Sequence, residues 1–139
     1  MIVPLVFWSF LLGAIAIGWQ AGDRADRRVL VAILLVSALS AGAQSLPEGV
    51  TRIGAILVLD LALLGVVTQH ALRSHRYWPL WFAGMQSVAV LLTLFALVAD
   101  GEARWLCQVF AAFWALPAML VMVLGLLADR RAHVVPQRA

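Results

Sequence analysis

Long apolar runs separated by short polar segments form the main pattern of this chain. The polar segments leave five apolar runs. Four are near the roughly 20 residues that a membrane-spanning helix needs, and the second, residues 29–43, is short but dense in Val, Leu and Ile. We therefore predict an all-α membrane protein, a compact bundle of five transmembrane helices in one domain, residues 1–128. The predicted spans are 2–19, 29–43, 53–70, 78–99 and 105–128, and a short basic cytoplasmic tail follows at 129–139.

The positions of the arginines predict how the bundle is oriented. All ten basic residues are arginines, and they lie in the segments between the runs. Alternate segments face the same side of a membrane, which places eight arginines on one side and two on the other. Because basic residues favour the cytoplasmic side, the amino terminus is predicted outside and the carboxyl terminus in the cytoplasm. The eight are Arg24, Arg27, Arg28, Arg73, Arg76, Arg130, Arg131 and Arg138, and the two are Arg52 and Arg104.

A second interpretation of the amino-terminal part stays open. Residues 27–45 combine arginines, an apolar run and the sequence Ala41-Gly42-Ala43, which is the pattern of a cleavable signal if translation began later. The first run is itself long enough to span, and the alternation of arginines requires both runs. The sequence therefore favours five spans and leaves open whether residues 1–28 all belong to the mature protein.

Composition agrees with a membrane location. The chain is 64% hydrophobic and 12% charged, with a mean hydropathy of +0.98. Soluble domains are about 45–50% apolar and about 25% charged, so a water-soluble core could not absorb this excess. The net charge of +3 would suggest nucleic acid in a soluble protein. Here the arginines are explained by orientation, so the predicted partners are the lipid bilayer and other membrane helices, not nucleic acid.

One acidic residue, Asp60, lies in the middle of an apolar run, about 12 Å from Arg52 and about 15 Å from His70 along a helix. A charge at that depth costs at least about 2.5–3.5 kcal/mol, so Asp60 is expected to face protein or water. A tight hairpin joins the third and fourth runs and places Gln86 at a similar depth. Every run contributes a polar group to this layer: Ser9, Ser37, Asp60, Gln86, and the Phe113 carbonyl that Pro117 leaves without its helical partner.

This mid-membrane polar layer has two interpretations. Hydrogen bonds between helices would stabilise the bundle by about 0.6–2 kcal/mol each. Alternatively, Asp60 and Gln86 form a site for a proton, an ion or a small polar ligand, because carboxylates inside membranes are often functional. The apolar runs offer no second carboxylate, histidine or lysine at that depth, which favours the first interpretation.

Basic and aromatic residues gather where the third run ends and the fourth begins. The basic ones are predicted in a cytoplasmic turn, where they could meet anionic headgroups, and the aromatic ones in the belt at the membrane surface. His70 is predicted to be a solvated residue at the end of its helix. The headgroup-facing set comprises Arg73, His75, Arg76, Tyr77, Trp78 and Trp81.

The sequence contains no recognisable catalytic set, metal site or cofactor site. Cys107 has no neighbouring base that would activate it. A haem between helices would need axial histidines on two spans at one depth, and only His70 is near a span. We therefore predict a protein that is not an enzyme and that holds no cofactor or metal.

The segment ALRSHRYWPLWFAGMQ, residues 71–86, resembles a segment of small multi-span inner-membrane proteins of alphaproteobacterial type. The resemblance implies an inner-membrane location and carries no activity or site residue. The leading functional hypothesis is a membrane protein that acts through helix–helix contacts, as a homo-oligomer or as an accessory subunit of a larger complex. The alternatives are a proton- or ion-translocating channel or carrier that uses Asp60 with Gln86, and a lipid-headgroup-binding membrane protein.

Overall fold

The structure of the protein is a computed structural model, which describes the backbone of residues 2–134 and the side chains of residues 5 and 7–131. The described chain is all-helical, and each helix contains one of the predicted apolar runs. Arg138 and the rest of 135–139 lie outside the described residues. The helices are α1 (Ile2–Ala21), α2 (Arg24–Ala43), α3 (Val50–Arg73), α4 (Trp78–Val98) and α5 (Gly101–Val134).

Two helices extend well beyond the apolar runs that predicted them. The second begins five residues earlier, at Arg24, because Asp23 caps its first turn. The fifth continues to Val134, into the segment predicted as a tail. That segment is rich in alanine and arginine, which favour a helix, and its first proline is Pro136.

Among the described residues, three helices are long and apolar enough to cross a membrane, which indicates a membrane protein. They are Val50–Arg73, Trp78–Val98 and Gly101–Arg131. In α1 the residues whose side chains are described form the apolar segment Phe7–Ala21, and α2 begins with several charged residues. Spanning by α1 and α2 therefore stays a prediction.

The helices pack in a closed ring. Each helix contacts its neighbours in the sequence, and α5 closes the ring against α1. The ring is tightest where glycines remove side-chain bulk. Gly18 on α1 lies against Leu30 and Leu126, and Gly125 on α5 lies against Trp78 on α4. These close approaches join α1, α2, α4 and α5 in one half of the bundle.

The buried core is concentrated in that same half. Its members from α1, α2 and α5 include Leu11, Leu30, Met122 and Leu126, none of which is exposed. By contrast, no side chain is buried in residues 34–42 of α2 or 101–117 of α5. We call the half of the ring that contains the α3–α4 connection the closed half. The opposite half is called the open half, because these parts of α2 and α5 keep their side chains partly or fully exposed there.

Candidate functional site

The first turn of α2 brings two aspartates together at the closed end of the ring. The Asp23 carboxylate accepts hydrogen bonds from the backbone N–H groups of Ala25 (2.8 Å) and Asp26 (2.9 Å). The Asp26 carboxylate in turn accepts a hydrogen bond from the Asp23 N–H at 3.0 Å, which completes a capping box. The hydrogen bond from the Asp26 backbone lowers the pKa of the exposed Asp23 carboxyl below its ordinary 3.8, and the nearby charge of Arg76 acts in the same direction.

Asp26 is the centre of a charged contact between distant parts of the chain. Its side chain is 0% exposed. Arg76 Nη1 lies 2.7 Å from Asp26 Oδ2, and His70 Nε2 lies 3.0 Å from Oδ1. Arg76 also forms an ion pair with Asp129 on α5, with 3.6 Å between Nε and Oδ2. We call Asp26, His70, Arg76 and Asp129 the polar junction; it joins α2, α3, the α3–α4 connection and α5.

The connection between α3 and α4 directs Arg76 inward. Helix α3 ends at Arg73, and the Ser74 hydroxyl accepts a hydrogen bond from the Arg76 N–H at 3.1 Å. Such a local turn reverses the chain within a few residues. The guanidinium of Arg76 is therefore held against Asp26 and Asp129 rather than extended into solvent, and its side chain is only 19% exposed.

Two predictions for this connection are wrong. Trp78 was predicted in the aromatic belt, but it is 2% exposed and packs against the His70 and Phe82 rings, with centroids 5.8 and 6.4 Å apart. His70 was predicted to be solvated, but its side chain is 12% exposed and contacts Asp26. Both side chains turn inward because Gly125 leaves room for Trp78 and the buried carboxylate attracts His70.

Four other residues of the predicted headgroup-facing set do lie at the surface. Arg73 and His75 are exposed, as are Tyr77 (78%) and Trp81 (63%). Arg76 differs because it belongs to the polar junction. The structure thus divides this set into an outer group and an inward pair, Arg76 and Trp78.

An open cleft of about 720 Å³ lies beside the polar junction, between the beginning of α2 and the end of α3. Cationic and polar side chains form much of its wall. The lining residues are Asp23, Ala25, Arg28, Val29, Val66, Gln69, His70, Arg73, Ser74, His75, Arg76 and Asp129.

Farther along the bundle, the structure brings Asp60 and Gln86 together. Gln86 Nε2 donates a hydrogen bond to Asp60 Oδ1 at 3.2 Å, which joins α3 to α4 at the level that the hairpin argument predicted. Gln86 is buried and Asp60 is partly exposed. Thr93 lies two turns beyond Gln86 on the same buried face of α4 and donates to the Ala89 carbonyl.

The remaining members of the predicted polar layer do not join this pair. Ser9 is exposed on α1, and Ser37 is half-buried on α2. Phe113 is 55% exposed on α5, and Pro117 is half-buried inside that helix. Among the described contacts, the layer therefore reduces to one hydrogen bond between two adjacent helices.

Sequence reasoning missed Asp26 and Asp129. A usable signal for Asp26 was present, because aspartates three residues apart directly before an apolar run have the spacing of a helix amino-terminal cap. Nothing local indicated that its carboxylate would meet His70 and Arg76, which lie 44 and 50 residues away.

The junction is suited to structural ion pairing rather than to metal binding. Within residues 7–131, no group of three or more His, Cys, Asp or Glu side chains could hold a metal ion. An arginine and a histidine next to a buried carboxylate satisfy its oxygens with donors, which leaves those oxygens unavailable to a cation.

The fold and these sites define a class: an all-helical protein of five described helices, three of which could cross a membrane, with a charged junction at one end. No protein-family model, curated protein or solved structure matches this chain.

Proposed function

We propose that the protein is a five-span protein of a bacterial inner membrane that acts through helix–helix contacts, as a homo-oligomer or as an accessory subunit of a larger complex. Its amino terminus lies outside and its carboxyl terminus lies in the cytoplasm. The arginine asymmetry supports this orientation, since the polar junction and the cleft then lie on the arginine-rich side.

The observation that carries this proposal is the exposed small-residue face in the open half of α2. Ala38 and Gly42 are four residues apart, both are exposed, and a side chain added at Gly42 would meet nothing within 4 Å. Leu35 and Leu39 beside them are 57% and 58% exposed. Small residues at this spacing allow the backbone of another helix to approach closely.

The Asp60–Gln86 contact supports the same function. Its two side chains share one hydrogen bond between α3 and α4, as polar groups do when they join helices inside a bundle. The contact stabilises the protein's own hairpin and leaves the outer faces apolar for lipid or for partner helices.

The test is the assembly state of the purified protein. Gly42→Leu fills the small-residue face of α2, and Gly65→Leu is the matched control, because Gly65 is also an exposed helical glycine with nothing within 4 Å of an added side chain. Native mass spectrometry in mild detergent should find an oligomer or a bound partner, lost in Gly42→Leu and kept in Gly65→Leu. A wild-type protein that is monomeric and unaccompanied in every mild detergent would contradict the proposal.

Orientation is tested separately with a reporter enzyme that is active only outside the cytoplasm. Fused to the carboxyl terminus, the reporter should be inactive, whereas inserted beside Pro47 in the α2–α3 connection it should be active. An active carboxyl-terminal fusion would overturn the five-span topology.

A proton or ion carrier is the second candidate, because Asp60 keeps partial exposure beside its amide partner. Its test is flux through proteoliposomes that contain the wild-type protein or Asp60→Asn, with assembly measured on the same samples. Flux that disappears in Asp60→Asn while assembly is unchanged would favour the carrier. No flux from the wild-type protein in any assembly state would exclude it.

A further inference from the structure

We propose that the cleft beside the polar junction binds a phosphate group, held mainly by Arg28 and Arg73. Two sources supply this chemistry at a membrane surface, the headgroup of an anionic phospholipid and free phosphate. The site is distinct from the helix–helix function proposed above and does not depend on it.

The shape of the cleft suits a small polar ligand. Its volume of about 720 Å³ falls within the range of roughly 300–1,000 Å³ that small-molecule sites occupy. The first turns of α2 form one wall and the last two turns of α3 form the other. The α3–α4 connection and Asp129 of α5 form the end. Asp26 of α2 contacts His70 of α3, so the two walls are joined beside the cleft.

The charges around the cleft fall into two groups. The first is already engaged: Asp23 caps α2, whereas Arg76 and His70 contact Asp26, and Arg76 also pairs with Asp129. The second consists of Arg28 and Arg73, which are exposed and have no hydrogen bond or ion pair among the described residues. The free charges at the cleft are therefore positive.

An oxyanion is the ligand that such free charges recognise best. Two arginines on one cleft repel each other in the absence of an anion. A guanidinium offers paired N–H donors that match two oxygens of a phosphate, and these charge-assisted bonds are about twice as strong as neutral ones. Gln69 and His75 also line the cleft and supply further side chains that can donate hydrogen bonds.

The position of the cleft gives a lipid headgroup access. Arg28 immediately precedes the apolar part of α2, and Arg73 is the last residue of α3. Exposed Tyr77 and Trp81 follow at the beginning of α4, with the amphipathic rings that occur at headgroup level. Arg76, which the sequence placed among the headgroup contacts, instead supports the end of the cleft from within the junction.

The experiment compares two double variants that lose the same charge. Arg28→Gln with Arg73→Gln removes the cleft cations, and Arg130→Gln with Arg131→Gln removes two exposed arginines of α5 that do not line the cleft. Full-length protein is placed in nanodiscs of phosphatidylcholine or of equal parts phosphatidylcholine and phosphatidylglycerol, and the lipids retained after mild extraction are counted by native mass spectrometry. Inorganic phosphate is titrated into the detergent-solubilised protein by calorimetry.

The wild-type protein should bind one of these probes at least about tenfold more tightly than the cleft variant does, as expected for loss of two charge-assisted contacts. The α5 variant should bind like the wild type. Preferential retention of phosphatidylglycerol identifies the lipid as the source, and saturable binding of phosphate without lipid preference identifies the free anion.

Two results would overturn the proposal. One is the absence of both phosphatidylglycerol preference and phosphate binding in the wild-type protein. The other is equal weakening by the cleft variant and the α5 variant, which would indicate a diffuse effect of surface charge. If the cleft variant does not fold, Arg28→Lys with Arg73→Lys replaces it. That variant keeps both charges without the paired donors, so it should retain weakened binding.

Discussion

The polar junction and the Asp60–Gln86 pair both join neighbouring helices through a carboxylate, yet they differ in how many partners that carboxylate has. Asp26 is fully buried and contacts an arginine, a histidine and a backbone N–H. Asp60 is partly exposed and accepts a hydrogen bond from one amide at 3.2 Å.

The difference follows from position along the helices. Where helices begin and end, one carboxylate can be reached by three kinds of donor. These are a backbone N–H of its own first turn, a side chain of a connecting segment and a side chain of a neighbouring helix. In the middle of a helix, every backbone donor is already engaged, and only side chains of adjacent helices are available. A buried charge is tolerated only when several partners satisfy it, and removing one member of such a set leaves the others unpaired. We therefore expect a substitution in the junction to destabilise the protein much more than a substitution in the mid-helix pair does.

The largest expected effect is that of Asp26→Ala. This change leaves Arg76 and His70 beside a cavity without their common partner and removes one half of the capping box. Breaking a buried ion pair in this way costs about 3–5 kcal/mol. The free energy of unfolding in detergent, followed by circular dichroism, measures the loss. In the control Asp100→Ala, the side chain is 97% exposed in its pair with Arg104, so the cost should be below about 1 kcal/mol. Equal losses of unfolding free energy in the two variants would contradict the expectation that the buried Asp26 carboxylate matters more to stability than an exposed one.

Gly125→Ala tests the helix approach that supports the junction. An added side chain at Gly125 would collide with Trp78, and overpacking of this kind costs about 1–3 kcal/mol. Gly65→Ala is the control, because nothing lies within 4 Å of the added group and alanine favours a helix over glycine. Thermal unfolding should show a lower midpoint for Gly125→Ala and an unchanged or higher one for Gly65→Ala. The reverse order would refute the close contact between α4 and α5.

A smaller loss of unfolding free energy is expected from Gln86→Leu, which removes the amide partner of Asp60. Hydrogen bonds between helices in a membrane contribute on average about 0.6 kcal/mol and at most about 1.7 kcal/mol. Asp60→Ala, Gln86→Leu and the double variant, unfolded under the same conditions, give the coupling between the two side chains. A loss from Gln86→Leu as large as that from Asp26→Ala would reverse the comparison between the two sites.

The smallest expected effect is a change in how the stability of the protein depends on pH. Because the folded-state pKa of Asp23 is lowered, its charge stabilises the protein above its ordinary pKa of 3.8, and that contribution disappears as the pH falls through the lowered value. Asp23→Asn keeps a capping side chain and removes the charge. Stability measured from about pH 5 downward should therefore fall less steeply in Asp23→Asn than in the wild type. Parallel curves would show that the Asp23 charge has no stabilising role.

Much of the fold was predictable because its signals are local. Each apolar run predicted one helix, and the short connection after Arg73 correctly implied that α3 and α4 are antiparallel neighbours. The contact between Asp60 and Gln86 followed from counting residues along those two helices. Two helix ends lie beyond the predicted spans, the start of α2 and the end of α5, and both have local causes. These are the Asp23 cap and the helix-favouring residues after Ala128.

The inward positions of Trp78, His70 and Arg76 were not predictable in this way. Aromatic and basic residues at the end of an apolar run are typical of a membrane surface, and Tyr77 and Trp81 do lie on the outside. Whether a neighbour such as Trp78 turns inward depends on Gly125, 47 residues later, which leaves the necessary space.

The sequence by itself determined the number of helices, their approximate bounds and the apolar character of three that could cross a membrane. These properties depend on hydrophobicity, capping and residue spacing within one segment. Only the tertiary structure decided that the ring closes between α1 and α5, that Asp26 is buried among partners from α3 and the α3–α4 connection, and that Arg28 and Arg73 line one cleft. Burial of a charge is a collective property, because it requires donors from distant parts of the chain to converge on one carboxylate.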